Sequence, residues 1–164
     1  LFKKDKYELI AKYFNKSNEV FFSFISGQVL DAIVVGILTS IAMSVIGVKY
    51  SVLLGFLIGL FNLIPYFGAI IAVTVAILIT IFTGGIGQAI VMAIVVIILQ
   101  QIDANIINPK IIGGSLSISP LLVIFSVTVG GAYFGVLGMF LAVPIFTVIK
   151  LLIEEYIEYK SSTI

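Results

Sequence analysis

Two aspartates, Asp31 and Asp103, stand among apolar residues and are the side chains of this sequence best suited to chemistry. Gln28 precedes Asp31 by three positions, which places both on one helical face. An acidic side chain inside a membrane-spanning helix costs about 2.5–3.5 kcal/mol, so it should face protein or water and can carry a proton or a cation. The alternative is that Asp31 lies at a membrane surface, because only a short apolar stretch precedes it.

Amide side chains surround Asp103 in the most polar interior stretch of the chain. The candidate residues there are Gln100, Gln101, Asp103, Asn105, Asn108 and Pro109. Gln101, Asn105 and Asn108 are spaced i, i+4 and i+7, so a helix would place them along one stripe. Their oxygens, with the carboxylate, could bind a small polar solute or a monovalent cation. The alternative is an ordinary polar loop between two helices.

The residue inventory excludes most enzyme chemistry. The chain has no cysteine, histidine, tryptophan or arginine. It therefore lacks thiolate and imidazole metal ligands, and it lacks a Ser-His or Cys-His nucleophile. The net charge of +1 gives no argument for nucleic-acid binding. We expect no enzyme activity, no cofactor and no metal site.

Long uncharged runs indicate an integral membrane protein. Residues 50–102 and 111–149 contain no charged side chain, and the mean hydropathy is +1.28. About 20 apolar residues cross a hydrocarbon core of roughly 30 Å. The fold class we predict is all-α: a polytopic helical membrane protein with interrupted transmembrane helices, four to six apolar segments in all.

Three regions are expected along the chain. Residues 1–19 read as an amphipathic juxtamembrane or connecting helix, 20–155 as the transmembrane domain, and 156–164 as a C-terminal tail. Five of the lysines lie in the first sixteen residues, which predicts a cytoplasmic N-terminal flank. Because the sequence begins at Leu1, we expect it to be the C-terminal part of a longer polypeptide.

Proline and glycine mark two interruptions. Pro65 removes a backbone donor, so the segment around it is either one kinked helix or two helices meeting at a turn. Asn62 can hydrogen-bond backbone groups freed there, and Gly68 is read as a hinge. The second interruption is a glycine cluster with a later proline, whose members are read as hinge or packing residues: Gly130, Gly131, Gly135, Gly138 and Pro144.

Three ordered motifs resemble one family of bacterial membrane proteins. Residues 59–68 (GLFNLIPYFG) contain N-x-I-P-Y-x-G. Residues 100–113 match Q-x-x-[DE]-x-N-x-x-x-P-x-x-x-G, and residues 131–144 (GAYFGVLGMFLAVP) match G-x-x-F-G-x-x-G-x-x-x-A-V-P. Over residues 20–155 the chain resembles the autoinducer-2 exporter family. It departs from the family at Ser119, where many members have a histidine, and at Ala69 and Ala72, where many have further Gly or Pro.

The resemblance implies a multi-pass transporter of the bacterial inner or plasma membrane. Members are associated with export of autoinducer-2, and some with sodium or lithium extrusion against protons. We therefore predict an exporter of a small polar solute, with a sodium(lithium)/proton antiporter as the alternative and a non-transporting membrane scaffold as a third possibility. Without the family's histidine, Asp31 and Asp103 are the remaining candidates for proton carriers in the membrane. The partners we expect are the lipid bilayer, the solute or cation, and further copies of the same chain.

Overall fold

The structure, a computed structural model, describes residues 2–112 and 119–161, with side chains for 14–112, 119–154 and 157. Its helices are α1 (Phe2–Val45), α2 (Ser51–Asn62), α3 (Phe67–Ile102), a π-helical turn (Asp103–Ile107), α4 (Asn108–Ile112) and α5 (Pro120–Ser161). No strand occurs in the described part of the chain. Three stretches are long and apolar enough to cross a membrane: Phe14–Val45, Phe67–Ile112 and Pro120–Glu154. The predicted all-α membrane class is confirmed.

The helical contacts divide the chain into two compact units. One unit comprises Leu1–Ser26 and Ser115–Ile164, and the other comprises Gly27–Gly114. Helix α1 is continuous across position 19, where the predicted connecting helix would give way to the membrane domain. Helix α5 likewise continues past position 155. The three predicted regions are therefore not marked by helix ends.

Glycine ends α1 and turns the chain toward α2. Gly47 has a positive φ of 73°. Its N–H donates to the Ser44 carbonyl at 3.1 Å, and the Val48 N–H donates to the Met43 carbonyl at 2.9 Å. This is the Schellman arrangement that satisfies the last carbonyls of a helix. The Val48 side chain is buried and packs in the core beside this turn.

A short turn at Pro65 separates α2 from α3, which decides between the two predicted arrangements in favour of two helices. Helix α2 ends at Asn62 and α3 begins at Phe67. Pro65 has no N–H to continue the helical ladder, and it disfavours helical geometry at the residue before it. Tyr66 adopts φ 64° and ψ −54°, a conformation sparsely populated by residues other than glycine.

Helix α3 is a helical hairpin that reverses at Gly85. A straight helix of its 36 residues would be about 54 Å long. Yet the Oδ2 atom of Asp103, the residue after α3, lies 3.3 Å from the Nδ2 atom of Asn62, the last residue of α2. Gly85 has φ 82° and ψ 171°, a conformation open essentially to glycine alone. The two arms, residues 67–84 and 86–102, therefore run antiparallel.

The unit from Gly27 to Gly114 packs α1 and α2 against both arms of α3. Its core contains side chains from each of these helices: Val35, Met43, Val48, Leu54, Ile58, Ala72, Ala76, Met92 and Val96. Where α1 crosses α2, a Cβ on Gly59 would lie 2.8 Å from the Gly36 Cα. Small residues thus let the two backbones approach closely, as is common between membrane helices.

Helix α5 is also a hairpin. A Cβ on Gly130 would overlap the carbonyl oxygen of Gly138, and one on Gly138 would overlap that of Gly130. Eight residues span about 12 Å in a straight helix, so the chain must reverse between them. The reversal is at Gly135, with φ 61° and ψ −146°. Ser119 and Pro120 open the first arm, with the Leu122 N–H donating to the Ser119 hydroxyl at 3.3 Å.

Most apolar side chains outside the core face outward, as the lipid phase requires. Ile33, Ile37 and Phe56 are more than half exposed. Several hydroxyl groups are satisfied locally: Ser40 and Thr80, for example, donate to the carbonyl four residues earlier, at 2.7 Å and 2.8 Å. Such bonds replace the water that the hydrocarbon region lacks.

Candidate functional site

Asp31 lies near the middle of the long α1 helix, completely buried. Its Oδ2 atom accepts hydrogen bonds from the side-chain amides of Asn62 at 2.9 Å and Asn108 at 3.2 Å. Its Oδ1 atom is buried without a hydrogen-bond partner. A buried polar atom left unpaired is costly, so this oxygen is a candidate for binding a proton, a cation or a solute.

Asp103 reaches the same place from the far end of α3. It opens the π-helical turn and is 6% exposed. Its Oδ2 atom accepts a hydrogen bond from the Asn62 amide at 3.3 Å, and its Oδ1 atom is also buried without a partner. Asp31 and Asp103, the carboxylate pair, are thus joined through one side-chain nitrogen.

The π-helical turn corrects the predicted polar stripe. The Asn108 N–H donates to the Asp103 carbonyl, an i→i+5 bond, so residues five apart share a face there. The Asp103 and Asn108 side chains consequently both lie on the face that meets Asp31. Gln101 and Asn105 are exposed instead, with the Asn105 amide donating to the Gln101 carbonyl at 2.7 Å. The α-helical spacing used for the prediction does not apply within a π-helical turn.

Asn62 is the centre of the cluster. It is the last residue of α2 and is 8% exposed. While its amide donates to both carboxylates, its backbone carbonyl accepts a hydrogen bond from the Gln28 amide at 2.7 Å. Two residues of α1, Gln28 and Asp31, therefore both hydrogen-bond to Asn62 and hold the end of α2 in place.

The pair is close and lacks a compensating cation. The Asn62 nitrogen is 2.9 Å from Asp31 Oδ2 and 3.3 Å from Asp103 Oδ2, so these oxygens are at most about 6 Å apart, close enough for their charges to interact strongly. In the part of the chain with described side chains, no ion pair involves either aspartate. Two bare negative charges in an apolar interior are very unfavourable. The arrangement therefore favours binding of a proton or a cation.

Four other predicted residues lie at the edge of this cluster or away from it. Gln100 is half-buried, and its amide nitrogen is buried without a partner. Pro65 is half-buried in the turn after Asn62, whereas Pro109 is exposed. Gly68 is buried, and a Cβ there would overlap the Phe61 carbonyl oxygen. That close contact requires glycine for packing.

The unit also has an apolar groove that none of the cluster's polar side chains lines. The groove, of about 510 Å³, runs between α1 and α2, lined by apolar side chains such as Ile33, Ile37 and Phe56. Ser40 is its one polar side chain, and it already donates to the Gly36 carbonyl. The groove offers a polar solute little to bind, so the carboxylate pair is the better candidate site.

Comparison with known proteins places the chain in a family. The family model described as "AI-2E family transporter" matches residues 1–158. "Putative transport protein YrrI" of Bacillus subtilis (strain 168) is 32% identical over 98% of this chain and 48% of its own length. The chain belongs to the AI-2E transporter family. The resemblance predicted from the three motifs is confirmed.

Two further relatives match the chain over a comparable extent. "Putative transport protein YueF" of Bacillus subtilis (strain 168) is 33% identical over 85% of this chain and 37% of its own length. "Putative permease PerM" of Escherichia coli (strain K12) is 33% identical over 90% of this chain and 42% of its own length. The chain thus spans about half the length, or less, of these relatives. No solved structure matches it.

The glycine cluster predicted from the AI-2E motif belongs to the α5 hairpin. Gly130 and Gly138 contact each other across the two arms, and Gly131 lies against the Met139 side chain. Gly135 forms the tip, and Pro144 is buried in the second arm. These residues lie in the other compact unit from the carboxylate pair. Their geometry is that of packing and chain reversal.

Sequence reasoning missed one polar contact in this AI-2E family chain. The Gln88 amide, in the second arm of α3, donates to the carbonyls of Ile46 at 3.3 Å and Gly47 at 2.8 Å. It therefore ties the tip of the α3 hairpin to the turn after α1. The available signal was that Gln88 is an isolated amide within an otherwise uncharged and mostly apolar run.

The donor set offers no site for a tightly held metal ion. Within the described residues, no group of three or more His, Cys, Asp and Glu side chains comes together. The carboxylate oxygens without a partner are the ligand type that suits hard cations, whereas the neighbouring Asn62 and Asn108 amides direct N–H groups at the pair. What the arrangement can do is exchange a proton or a weakly held cation.

Proposed function

We propose that this chain is part of an exporter of a small polar solute, in which Asp31 and Asp103 bind the coupling ion. The observation that carries the proposal is the buried carboxylate pair, with one bare oxygen on each residue. Ionisable residues inside a membrane protein are costly and usually mark ion or substrate pathways. Protons or cations bound here would reduce the negative charge of the pair and so lower the cost of moving the site across the membrane.

The broken helices beside the pair support a transport role. Asn62 ends α2 immediately before the Pro65 turn, and Asp103 begins a π-helical turn. Non-helical backbone at membrane depth is tolerated only against protein or a water-filled cavity. Interrupted helices near the membrane midplane commonly form the binding site of secondary transporters.

The candidate solute comes from the family. Autoinducer-2, a small polyhydroxylated molecule, is the candidate that the family resemblance implies. The Gln100 amide has a buried N–H group without a partner that could donate to a hydroxyl oxygen. The relatives come from bacteria, which supports a multi-pass location in the inner or plasma membrane. Assembly of several copies stays a prediction.

Sodium(lithium)/proton antiport is the second candidate function. The specific observation in its favour is that the two unpartnered atoms are carboxylate oxygens, which are suitable ligands for small hard cations. Under this alternative the pair would bind either a proton or the cation, never both, and no organic solute would be needed.

Reconstitution of the full-length protein tests both candidates. Liposomes carrying a pH-sensitive dye would be offered autoinducer-2, sodium, lithium and potassium in turn, with protein-free liposomes as the control. The expected result is proton movement driven by an autoinducer-2 gradient, with none driven by sodium, lithium or potassium alone. Proton movement driven by sodium or lithium alone would support antiport instead. Absence of any flux above the control would contradict both and favour a scaffold.

A further inference from the structure

One side chain, Asn62, contacts both members of the carboxylate pair and also ends α2. Its amide nitrogen donates to Asp31 Oδ2 and Asp103 Oδ2. Two residues later, Ile64 begins the part of the turn that contains Pro65 and Tyr66. Asn62 thus contacts both carboxylates and also forms one end of the α2–α3 turn. A change at the carboxylates can therefore reach the turn through this one residue.

The turn is held under backbone strain. Tyr66 has a φ of 64° without being glycine, a conformation that costs about 1–3 kcal/mol and persists only when surrounding contacts enforce it. One enforcing contact lies at each end: Asn62 holds α2 at the start, and the Gly68 N–H donates to the Ile64 carbonyl at 3.0 Å. If the Asn62 contacts weaken, the strain favours opening of the turn.

The charge on the pair sets the strength of the Asn62 contacts. A hydrogen bond to an ionised carboxylate is roughly twice as strong as one to a neutral acceptor. The groups around Asn62 are Asp31 from α1, Asp103 from the π-helical turn and the neutral Asn108 from α4. Neither α2 nor α3 carries a charged residue. Neutralisation of the pair therefore weakens the hydrogen bonds from both Asn62 and Asn108, and of these two residues only Asn62 adjoins the α2–α3 turn.

We infer that Asn62 is a positioning residue that transmits the charge state of the carboxylate pair to the α2–α3 turn. With the pair ionised, its amide donates to both carboxylates and the turn is held closed. With both carboxylates neutralised by protons or cations, the amide is released and the turn opens. This inference rests on the proposed function in one respect, that the pair changes its charge during the working cycle.

A cysteine in the turn can report its opening, because the chain has no cysteine of its own. Ile64 is 8% exposed, so Ile64→Cys should react with a water-soluble thiol reagent only when the turn opens. Val48→Cys is the matched control: Val48 is 5% exposed, lies in the other inter-helix turn of the same unit, and is remote from the pair. The ratio of the two rates removes the effect of pH on the thiol itself.

The expected result, in full-length protein in liposomes, is a rate ratio that rises on going from mildly alkaline to mildly acidic buffer. The rise should be at least about fivefold, the factor that corresponds to one ordinary hydrogen bond. Asn62→Leu should give a high ratio at every pH. Gln28→Leu removes the other contact to the end of α2, so it should raise the ratio yet preserve its pH dependence.

Two results would overturn the inference: a flat ratio in protein with Asn62 intact, or an unchanged pH dependence in Asn62→Leu. Slow labelling of Val48→Cys in each variant verifies that the unit is folded. The proposed function fails separately, when reconstituted protein moves neither solute nor ion. A pH-dependent turn in a protein without transport would leave the positioning role of Asn62 standing alone.

Discussion

Asp31 and Asp103 come from distant parts of the sequence, yet one amide nitrogen contacts both. Each retains one buried oxygen without a partner. A structural hydrogen-bond network would be expected to satisfy all four oxygens, because unpaired buried acceptors reduce stability. The two oxygens without a partner are therefore better explained by a proton shared between the carboxyl groups, or by a bound ligand, either of which can leave.

Shared contacts predict that the two aspartates act as a unit. Residues in one hydrogen-bond network show strongly non-additive mutational effects. Asp31→Asn and Asp103→Asn should each remove the response of transport to a proton gradient, and the double variant should lie within about twofold of either single one. Flux measurements in proteoliposomes would check this. Effects that multiply in the double variant would show two independent sites.

Part of this site could be predicted from local spacing and part could not. The proximity of Gln28 to Asp31 followed from their separation by three residues. The stripe of Gln101, Asn105 and Asn108 was wrong because a π-helical turn changes the angular spacing, and nothing in the residues signals that turn. The bridge from Asn62 depends on packing between distant segments, which single-residue patterns do not encode.

At the scale of elements, small residues set the distance between α1 and α2. A Cβ on Gly59 would lie 2.5 Å from the Ala32 carbonyl oxygen and 2.8 Å from the Gly36 Cα. The two helices could accommodate it only by moving apart, and that movement would disturb the alignment of Asp31 on α1 with Asn62 on α2.

Gly59→Ala is accordingly expected to destabilise the protein. Overpacking a close contact costs about 1–3 kcal/mol, which should lower the midpoint of thermal unfolding in detergent. Gly87→Ala is the matched control, because no heavy atom lies within 4 Å of the Cβ it would add. Alanine is also the better helix former, so the control should be neutral or slightly stabilising. Equal effects of the two substitutions would contradict the packing model.

The elements show why glycine is hard to interpret from sequence alone. Pro65 predicted an interruption because it has no backbone N–H to continue a helix, and the structure has a turn there. Gly85 and Gly135 reverse the chain, whereas Gly59 and Gly130 are packing residues. All four are small and lie in apolar segments, so backbone geometry alone separates the two uses.

At the scale of the whole molecule, the lengths of the α5 arms bear on how the chain crosses the membrane. Pro120 and Lys150 each lie fifteen residues from Gly135, so each arm extends about 22 Å to its first turn-forming or charged residue. That is less than the hydrocarbon thickness of roughly 30 Å. The hairpin is therefore expected to return to the surface from which it enters, with its tip at Gly135 short of the opposite surface.

Sidedness of labelling tests this topology. Single cysteines at Ser119 and Glu154, both exposed, should react with an impermeant thiol reagent from the same side of the membrane. Lys12→Cys supplies the reference for the cytoplasmic side, since lysine-rich flanks resist translocation. Reaction of Ser119→Cys and Glu154→Cys from opposite sides would show that α5 crosses once and is not a hairpin in the membrane. Tyr133→Cys, which is exposed and near the tip, should resist the reagent from the far side, and its reaction there would show that both arms cross. Rapid labelling of Lys12→Cys from outside intact cells would overturn the predicted orientation.

The most direct test of the account is the pH dependence of transport by Asp103→Asn in the full-length protein. The substitution keeps the size of the side chain and its hydrogen-bonding capacity but removes its charge and its titration. Asn105→Ala is the control, because Asn105 is exposed and lies outside the cluster. An exporter coupled through the pair should keep partial solute flux but lose its response to the proton gradient, whereas an antiporter should lose ion-driven proton movement completely. Wild-type flux with an unchanged pH dependence in Asp103→Asn would contradict both mechanisms.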